Sequence, residues 1–482
     1  KRIVKKFGAD SFRIIEQEPE RLSEIKGISE RKANEIGVQF VEKQEMREAL
    51  MFLSKFGISP SLSVKIFTEY GNRLYSIVKE NPYRIAEDIS GVGFKTADSI
   101  AMSGGVGAES EFRLRAAIIY TLNRATGLGH IYLPQRLLIG WTRQLLEQAD
   151  SEAGRAYPDF GGYGEQDPEG VSYAERLSEM IRIQLRNLEI DKKVVLKNLS
   201  GEEVVYTVKH YESEKNTAQL LLETRAKALV PKHSLKTAIE QIEAETGIIL
   251  DEMQREAVYQ AAENGVLVVT GGPGTGKTTT INAIIRYFEM EGNTILLAAP
   301  TGRAAKRMTE ATGHTAQTIH RLLELSGGVD EGEGAAVHFE RNGSNPLEAD
   351  VIIIDEMSMV DQALMYALMQ ATLPGMHLIL VGDENQLPSV GAGNVLKDII
   401  RSETIPVVAL KHIFRQEADS RIVENAHKIN AGESIRMDNK CKDFFYLPRI
   451  STSEVANEVG LLLTKKLPKY VECDSTDIQV LT

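Results

Sequence analysis

The chain has 482 residues, of which 42% are hydrophobic and 26% charged, and its formal net charge at pH 7 is −12. This composition is ordinary for a globular protein of about three or four domains, and no apolar run reaches the roughly 18 residues that a membrane span requires. The two cysteines lie far apart and outside any Cys-x-x-Cys pattern, so neither a disulfide framework nor a zinc site is expected. The net acidity argues only weakly against nucleic-acid binding, because local patches of charge attract a phosphate backbone.

Two regions of different character precede the middle of the chain. Residues 1–105 consist of short helical segments separated by glycines, with nearly balanced charge. Residues 106–235 are predicted to be mixed α+β, with strand-like runs at EEVVYTVKHY (202–211) and AQLLLETRA (218–226). Within this region, residues 148–170 are rich in glycine and acidic residues, which predicts a mobile surface loop.

From about residue 236 the pattern changes to short, continuous apolar runs that alternate with helical stretches. The runs VLVVT, TILLAAP, DVIIIDE and LILVGD are typical of buried parallel strands. Residues 236–430 are therefore predicted to fold as an α/β domain around a parallel sheet. Residues 431–482 are interpreted as the start of a further domain, and the final DIQVLT resembles a strand that is cut short, so we expect a fragment of a longer protein.

The first apolar run leads into the glycine-rich loop GGPGTGKTTT. The loop matches G-x-x-x-x-G-K-T and lies between a predicted strand and a predicted helix, which is the context that this phosphate-binding pattern requires. Glycines let backbone N–H groups turn towards the β- and γ-phosphates, and the helix that follows adds its partial positive charge. The lysine supplies a point charge and the threonine after it can reach Mg²⁺. The predicted nucleotide-binding residues are Gly271, Gly272, Pro273, Gly274, Thr275, Gly276, Lys277, Thr278 and Thr279.

Three later segments supply groups that such a loop needs for hydrolysis. VIIIDE ends a buried strand with Asp355, expected to hold Mg²⁺ together with Thr278, and Glu356, expected to activate the attacking water. LILVGDENQLP offers Gln386 as a γ-phosphate sensor, because its amide both donates and accepts hydrogen bonds. LKHIFRQ places Arg415 after a further strand, as a candidate arginine finger. Judged singly, these residues could instead lie in a solvated turn, a polar loop and a linker.

In this order and spacing, the motifs resemble superfamily 1 helicases of the 5′-to-3′ class, specifically the RecD-like group. The resemblance extends from LDEMQREAV (250–258) to LKHIFRQ (410–416). It implies that ATP and Mg²⁺ bind between two RecA-like domains, with residues 236–430 as the first and 431–482 as an incomplete second. It also implies that Gln254 hydrogen-bonds the adenine. The implied contacts to single-stranded DNA are Pro300, Thr301, Arg303, Thr318 and His320.

The same resemblance implies a duplex-splitting pin and a DNA-binding N-terminal region. The pin would be a β-hairpin near residues 326–343. In residues 1–105, the segments 22–36 and 85–101 resemble helix-hairpin-helix motifs, and 52–71 resembles a degenerate third copy. Such a hairpin exposes backbone N–H groups to a phosphate without reading sequence, although ordinary packed helical hairpins remain the alternative. The candidate DNA contacts here are Gly27, Gly91, Gly93 and Lys95.

The resemblance predicts a stand-alone, ATP-dependent DNA helicase that moves 5′ to 3′ on single-stranded DNA and unwinds duplex DNA in repair or recombination. The expected partners are 5′-tailed single-stranded DNA, duplex DNA, and repair or single-strand-binding proteins, with no membrane. A monomer in the bacterial cytoplasm is expected. Because the second motor domain is incomplete, this chain is expected to hydrolyse ATP poorly. Two alternatives remain open: a translocase that remodels protein–DNA complexes without unwinding, and a non-catalytic scaffold that binds DNA structures.

Overall fold

The computed structural model describes residues 2–89, 91–152, 172–226, 234–326, 338–412 and 420–481. The N-terminal region is entirely helical in these residues. Its helices are α1 (Arg2–Phe7), α2 (Ser11–Gln17), α3 (Glu30–Ser54), α4 (Pro60–Tyr70), α5 (Leu74–Glu80), α6 (Arg84–Asp88) and α7 (Phe94–Ser103).

Tight glycine turns separate successive helical segments of this region. Gly27, Gly57 and Gly91 have φ values of 98°, 72° and 89°, which a residue with a side chain rarely adopts. Gly57 and Gly91 lie between α-helices, whereas the segment before Gly27 is a 3-10 helix, Pro19–Glu24. With its 25 residues, α3 is not the short segment expected from the sequence, and it joins the first hairpin to the one around Gly57.

The region that follows is mixed, as predicted. Its elements are α8 (Glu111–Gly127), β1 (Tyr132–Pro134), α9 (Gln135–Glu152), α10 (Tyr173–Ile190), β2 (Val194–Leu199), β3 (Glu202–Thr207) and α11 (Val208–Arg225). The strands form an antiparallel sheet in the order β1-β3-β2. Helices α8, α9 and α10 pack around a shared apolar core that also receives residues of α7.

Two predictions for this region are wrong. The expected strand at 218–226 is helical, and the expected strand at 202–211 ends at Thr207. The Thr207 hydroxyl accepts a hydrogen bond from the His210 N–H at 3.3 Å, which caps and starts α11. The apolar residues of 218–226 serve a helix, in which Leu221 packs into the core of the next domain.

The predicted loop at 148–170 begins later than the sequence suggests. Residues 148–152 complete α9, because Asp150 is fully buried there and accepts hydrogen bonds from Arg113. A buried, ion-paired residue holds its helix turn against the core. The remainder of the predicted loop lies outside the described residues.

The next region is an α/β domain. Its elements are α12 (Leu235–Thr246), α13 (Glu252–Glu263), β4 (Val266–Gly271), α14 (Lys277–Met290), β5 (Ile295–Ala299), α15 (Gly302–Thr312), β6 (Ala316–Thr318), α16 (Ile319–Leu322), β7 (Leu325–Ser326), β8 (His338–Phe339), β9 (Val351–Ile354), α17 (Gln362–Ala371), β10 (His377–Gly382), α18 (Val395–Arg401) and β11 (Val407–Leu410). Six strands form a parallel sheet in the order β11-β4-β10-β9-β5-β6. The predicted α/β fold with a parallel sheet, preceded by an all-α region and a mixed region, is confirmed.

The parallel sheet is buried on both faces, because successive side chains of a strand point to opposite sides. On one face, Val268 and Ile352 pack with α17 and α18. On the other, Val269 and Ile353 pack with α12, α13 and α14. Helices therefore cover both faces, and the loops at the carboxyl ends of the strands are left to form a binding edge.

The C-terminal described residues contain α19 (Arg421–Asn430), α20 (Thr452–Leu461), a π-helical segment (Leu462–Lys466) and α21 (Leu467–Val471). Residues 478–481 belong to no strand, so the strand expected at the end of the chain is not formed among the residues described. A strand needs a hydrogen-bonded neighbour, and within 420–481 no other strand is available to it. None of the described helices is long and apolar enough to cross a membrane.

Candidate nucleotide and DNA site

The register of the parallel sheet brings the predicted nucleotide residues to one edge. In β10, Gly382 is opposite Thr270 of β4, and Leu380 is opposite Ile354 of β9. The loops that follow these three strands therefore begin at nearly the same height. They carry the glycine-rich loop, the two carboxylates and Gln386.

The glycine-rich loop is curled tightly around its own backbone. Gly274 and Gly276 have φ values of 75° and 82°, and α14 begins directly afterwards at Lys277. The Lys277 ammonium donates hydrogen bonds to the carbonyl oxygens of Gly271 at 2.7 Å and Gly272 at 3.0 Å. The Thr275 hydroxyl donates to the Gly272 carbonyl at 2.9 Å. This is the shape in which backbone N–H groups and one ammonium can converge on phosphates.

The two carboxylates after β9 are held by backbone hydrogen bonds. The Asp355 N–H donates to the Ala298 carbonyl at 3.0 Å, and the Asp355 carboxylate accepts from the Glu356 N–H at 2.8 Å. Glu356 has a φ of 54°, in the left-handed region that is uncommon for residues other than glycine. Six other described non-glycine residues share this conformation, so the strain supports a functional role for Glu356 only together with its position at the cavity.

Burial sets the protonation behaviour of this carboxylate pair. Burial raises the pKa of Asp355 and of Glu356 above their ordinary values, and the neighbouring Asp355 charge raises that of Glu356 further. The positive charges of Lys277 and Arg307 act in the opposite direction on both groups. Within the described residues neither carboxylate has a salt-bridge partner. Acids whose pKa values are shifted by burial and by a like charge are candidates for proton transfer.

A cavity of about 770 Å³ joins these groups. It is lined by the glycine-rich loop from Gly272 to Thr279 and by the carboxylates, and Gln386 reaches it from the loop after β10. Gln386 is exposed, and its side-chain oxygen accepts a hydrogen bond from the Ser358 hydroxyl at 3.4 Å. The structure therefore brings together most of the predicted nucleotide-site residues, while Arg415 lies outside the described residues.

The lining of this cavity includes residues that the sequence pattern does not predict, among them Arg307, Ser420 and Val423. Arg307 of α15 lines the cavity, and its charge acts on both carboxylates. Ser420 and Val423, at the start of α19, line it from the C-terminal side. Arg307 could have been found, because it follows Arg303 by one helical turn in a segment that leaves β5 beside the site. The residues of α19 carry no comparable signal.

Gln254 joins the helix before the sheet to the glycine-rich loop. It is 1% exposed. The Asp251 N–H donates a hydrogen bond to the side-chain oxygen of Gln254, and the Gln254 N–H donates one to the carboxylate of Asp251, so the two residues cap the start of α13 together. Its side-chain amide also donates to the Gly276 carbonyl at 3.4 Å. Gln254 thus fixes the position of the loop, and its contact with an adenine stays a prediction.

The first predicted DNA segment follows β5. Pro300 is partly buried, and the Thr301 hydroxyl accepts a hydrogen bond from the Ala304 N–H at 3.2 Å, which caps α15. Arg303 is exposed and donates to the side-chain oxygen of Gln479 at 3.4 Å. The side chain of Arg303 is therefore available at the surface, whereas the hydroxyl of Thr301 is engaged in the helix cap.

The second predicted DNA segment follows β6. The Thr318 hydroxyl accepts from the Arg321 N–H at 3.2 Å, and the exposed His320 ring lies 6.0 Å from the ring of Phe339. Thr318 and His320 line a common cavity of about 800 Å³ together with Arg321. Strands β7 and β8 pair antiparallel beside it, as a hairpin requires, and residues 327–337 between them lie outside the described residues.

The predicted DNA contacts of the N-terminal region lie on two hairpins. Gly27 and Gly91 adopt the positive φ of tight turns, and Gly93 precedes the first residue of α7. Lys95 points to another neighbour, since its ammonium lies 3.0 Å from both carboxylate oxygens of Glu152. The backbone of the second hairpin remains a candidate phosphate contact, while the charge of Lys95 is already balanced.

Family models match two parts of the chain: an AAA domain matches residues 254–392, and the helix-hairpin-helix domain of ATP-dependent RecD2 DNA helicases matches residues 42–132. The second match includes the hairpins around Gly57 and Gly91 and excludes the first hairpin.

Curated relatives cover different shares of the chain. The ATP-dependent RecD2 DNA helicase of Deinococcus radiodurans is 30% identical over 451 residues, which are 90% of this chain and 56% of the relative. The RecBCD enzyme subunit RecD of Mycobacterium tuberculosis is 41% identical over 170 residues, or 30% of this chain and 28% of the relative. Among solved structures, the Pif1 helicase of Candida albicans overlaps in part, with 26% identity, a TM-score of 0.32, and coverage of 46% of this chain and 55% of that chain.

The order of the matched domains agrees with the fold. The helix-hairpin-helix match precedes the AAA match, as the hairpins precede the parallel sheet. The match to the Deinococcus relative runs through both regions, although this chain spans only 56% of that protein. The chain is therefore similar to RecD-like helicases over most of its length, and its helical hairpin region is similar to the helix-hairpin-helix domain of the RecD2 type.

Proposed function

We propose that this chain is the nucleotide-hydrolysing and DNA-binding part of a DNA helicase, which converts ATP hydrolysis into movement along single-stranded DNA. The observation that carries the proposal is the position of Glu356. Its carboxyl has a raised pKa, borders the cavity of the glycine-rich loop, and has no salt-bridge partner among the residues described. A carboxylate that is neither neutralised nor fully solvated can act as a general base.

The glycine-rich loop would bind the phosphates of ATP. The positive-φ turns at Gly274 and Gly276 would let backbone N–H groups face the phosphates, and the start of α14 would add the positive end of its dipole. Lys277 would exchange its two carbonyl partners for phosphate oxygens, which are stronger acceptors because they are charged. Binding of nucleotide is thus coupled to a rearrangement of the lysine side chain.

Hydrolysis would use the residues that face the loop. Glu356 takes a proton from a water molecule, the water oxygen forms a bond to the γ-phosphorus, and the bond from that phosphorus to the ADP oxygen breaks. Lys277 and Arg307 stabilise the negative charge that develops on the phosphoryl oxygens. Gln386 orients the water or the γ-phosphate through its amide.

The residues present also fit a magnesium ion. The Thr278 hydroxyl and the Asp355 carboxylate line the same cavity, and oxygen ligands of this kind are the ones that Mg²⁺ prefers. When bound there, Mg²⁺ would neutralise charge on the β- and γ-phosphates. Asp355 is held for this role by its backbone hydrogen bonds to β5 and to Glu356.

The DNA strand would cross the segments after β5 and β6. Arg303 and His320 are exposed there, and both can reach a phosphate or a base. The hairpin of β7 and β8 lies beside His320, where a pin could divide the duplex. The 5′-to-3′ direction, the separation of strands, and a role in repair or recombination are supported by the resemblance to RecD-like helicases.

The decisive experiment measures strand separation by the protein expressed from its complete gene. Duplexes with a 5′ tail, a 3′ tail or no tail are compared in the presence of ATP and Mg²⁺, with Lys277→Ala as the inactive control. We expect unwinding of the 5′-tailed duplex alone, and only with Lys277. ATP hydrolysis stimulated by single-stranded DNA without unwinding of any duplex would favour a translocase instead. DNA binding without any hydrolysis would indicate a scaffold.

A further inference from the structure

A cleft of about 890 Å³ lies between the second hairpin and the mixed region, and it shares no lining residue with the nucleotide cavity. One wall is formed by α6 and by the hairpin backbone at Val92 and Gly93. The opposite walls are formed by α8, by the turn after α10 and by the start of α11. Its volume falls within the roughly 300–1,000 Å³ typical of ligand clefts. We call it the basic cleft, after its lining residues Arg84, Arg115, Lys192, Lys193 and Lys209.

The charge of the basic cleft is opposite to that of the whole chain. Five basic and two acidic side chains line it, whereas the formal net charge of the protein is −12. Arg84 lies 3.6 Å from the carboxylate of Asp88, which also lines the cleft. Arg115 is paired with Asp191. Three exposed ammonium groups have no carboxylate within 4 Å in the part of the chain that the structure describes: those of Lys192, Lys193 and Lys209.

These unpaired lysines come from two separate segments. Lys192 and Lys193 follow the end of α10, and Lys209 lies in the first turn of α11, beyond the β2–β3 hairpin. The antiparallel pairing of β2 with β3 returns the chain so that Val194 is opposite Thr207, which places the two lysine segments side by side. Like charges repel, so an anion bound between the two lysine segments would lower the electrostatic energy of this arrangement.

The cleft also offers an aromatic surface. Phe112 of α8 lines it and is 39% exposed, so part of its ring is accessible beside the charged groups. Lysines that follow a groove, together with an exposed ring, are the combination that binds a nucleic-acid strand through its phosphates and bases. A single small anion would make no use of the exposed ring. An acidic peptide would make no use of the glycine hairpin that forms one wall of the cleft.

We propose that the basic cleft binds one strand of DNA, with its phosphates on Lys192, Lys193 and Lys209 and a base against Phe112. The inference rests on the proposed function, because it takes DNA as the substrate. It adds a contact outside the motor domain, and the three lysines also lie outside the matched helix-hairpin-helix domain at 42–132. Since the cleft shares no residue with the nucleotide cavity, DNA held there would stay bound whether or not nucleotide is present.

The lysines are tested by the triple variant K192Q/K193Q/K209Q. Its affinity for a fluorescent single-stranded oligonucleotide is measured by anisotropy, without nucleotide, over a series of salt concentrations. Each lost phosphate contact lowers the slope of log affinity against log salt by about 0.7, so we expect a slope smaller by about 2 and affinity at least about tenfold lower at moderate salt. The matched control is K5Q/K43Q/K236Q, which removes the same charge from exposed lysines that do not line the cleft.

Equal losses in the triple variant and the control would overturn the proposal, because they would reflect net charge alone. Phe112→Ala is expected to lower single-strand affinity about fivefold or more while leaving the affinity for blunt duplex unchanged. Unchanged single-strand affinity in Phe112→Ala would remove the base contact. The lysine substitutions and Phe112→Ala are at exposed positions, so we expect each variant to fold. Thermal unfolding curves that match the wild-type curve would verify this.

A free nucleotide is the other source of phosphate for such a cleft. In a Lys277→Ala background, binding of ADP is measured by calorimetry with and without the three lysine substitutions. We expect no ADP binding that depends on these lysines, and its presence would contradict the assignment to DNA. If wild-type protein fails to unwind DNA while the triple variant still loses DNA affinity, the proposed function fails and the cleft assignment stands.

Discussion

Two groups of buried acids in this protein are treated in opposite ways. Asp98 and Asp150 are nearly inaccessible to solvent. Asp98 accepts two hydrogen bonds from Arg113, at 2.8 and 3.0 Å, and Asp150 accepts two more, at 2.9 and 2.8 Å. At the edge of the parallel sheet, Asp355 and Glu356 are partly buried but have no such partner among the described residues. We call the first pair compensated, because arginine hydrogen bonds balance its charge, and the second pair uncompensated. The difference indicates that a compensated acid stabilises the fold, whereas an uncompensated acid can bind a ligand or accept a proton.

The location of each group agrees with this distinction. Arg113 of α8 joins Asp98 of α7 to Asp150 of α9, so it ties the last hairpin of the N-terminal region to the mixed region. Tyr83 adds a fourth member, donating its hydroxyl to Asp98 at 2.7 Å, and its own pKa is raised by burial. The four residues of the network are at most 6% exposed, whereas the half-buried carboxylates after β9 line the nucleotide cavity.

The largest effect should come from removing the arginine of the compensated group. Arg113→Leu removes the charged partner of two buried carboxylates, Asp98 and Asp150, and such a loss costs about 3–5 kcal/mol of folding free energy. The matched control is Arg115→Leu, two residues along the same helix, which breaks a partly exposed ion pair with Asp191 that contributes about 0–1 kcal/mol. Calorimetric unfolding of both variants measures the difference, and equal losses would mean that the Arg113 network does not hold the two regions together.

A smaller loss is expected where the backbone of the nucleotide site is tightly packed. A Cβ at Gly271 would lie 2.5 Å from the Thr275 hydroxyl and 3.0 Å from both Cβ and the carbonyl of Leu410. Gly271→Ala should therefore destabilise the α/β domain by about 1–3 kcal/mol and weaken nucleotide binding. Gly302→Ala is the control, because nothing lies within 4 Å of its Cβ, and it should be neutral or stabilising by up to about 1 kcal/mol. Urea unfolding distinguishes them, and a tolerated Gly271→Ala would show that the loop is not packed as described.

The smallest expected effect is a gain in folding stability, opposite in sign to the two losses above. Asp355→Asn removes a carboxylate whose pKa is raised by burial, so the variant should be more stable at neutral pH by about 0.5–2 kcal/mol. The folded state keeps the proton to a higher pH than the unfolded state, so stability falls as the pH rises from the ordinary value through the folded pKa. The gain should therefore vanish in acid, below the ordinary pKa.

The same substitution in the compensated group is its control. Asp98→Asn weakens charged hydrogen bonds to Arg113 and should cost about 1.5–3 kcal/mol. Thermal unfolding in the absence of nucleotide and Mg²⁺ compares the two variants at several pH values. If Asp355→Asn also destabilised the protein at neutral pH, the account of two opposite groups would be wrong.

The sequence was most informative where local pattern and sheet geometry act together. Buried strands followed by a glycine-rich loop, by Asp355 and Glu356, and by Gln386 could be assigned to one edge, because parallel strands all present their carboxyl ends there. The structure brings these residues to one cavity. The pattern does not predict Arg307, although it lies one helical turn from Arg303.

Contacts between distant segments could not be predicted. Asp98, Arg113 and Asp150 are 15 and 37 residues apart along the chain, and no periodicity marks them as partners. For the same reason the sequence pattern predicts a loop at 148–152, although the buried Asp150 keeps this segment helical. Glu152 likewise pairs with Lys95, which alters the expected role of that lysine. The lysines of the basic cleft meet only because β2 and β3 pair.

The central claim, that the acids after β9 are uncompensated because they perform chemistry, is tested most directly with Glu356→Gln. ATP binding and ATP turnover stimulated by single-stranded DNA are measured on the protein expressed from its complete gene. The account predicts that ATP affinity stays within about threefold of the wild type while turnover falls by about 10²–10⁴. Turnover near the wild-type rate would contradict it.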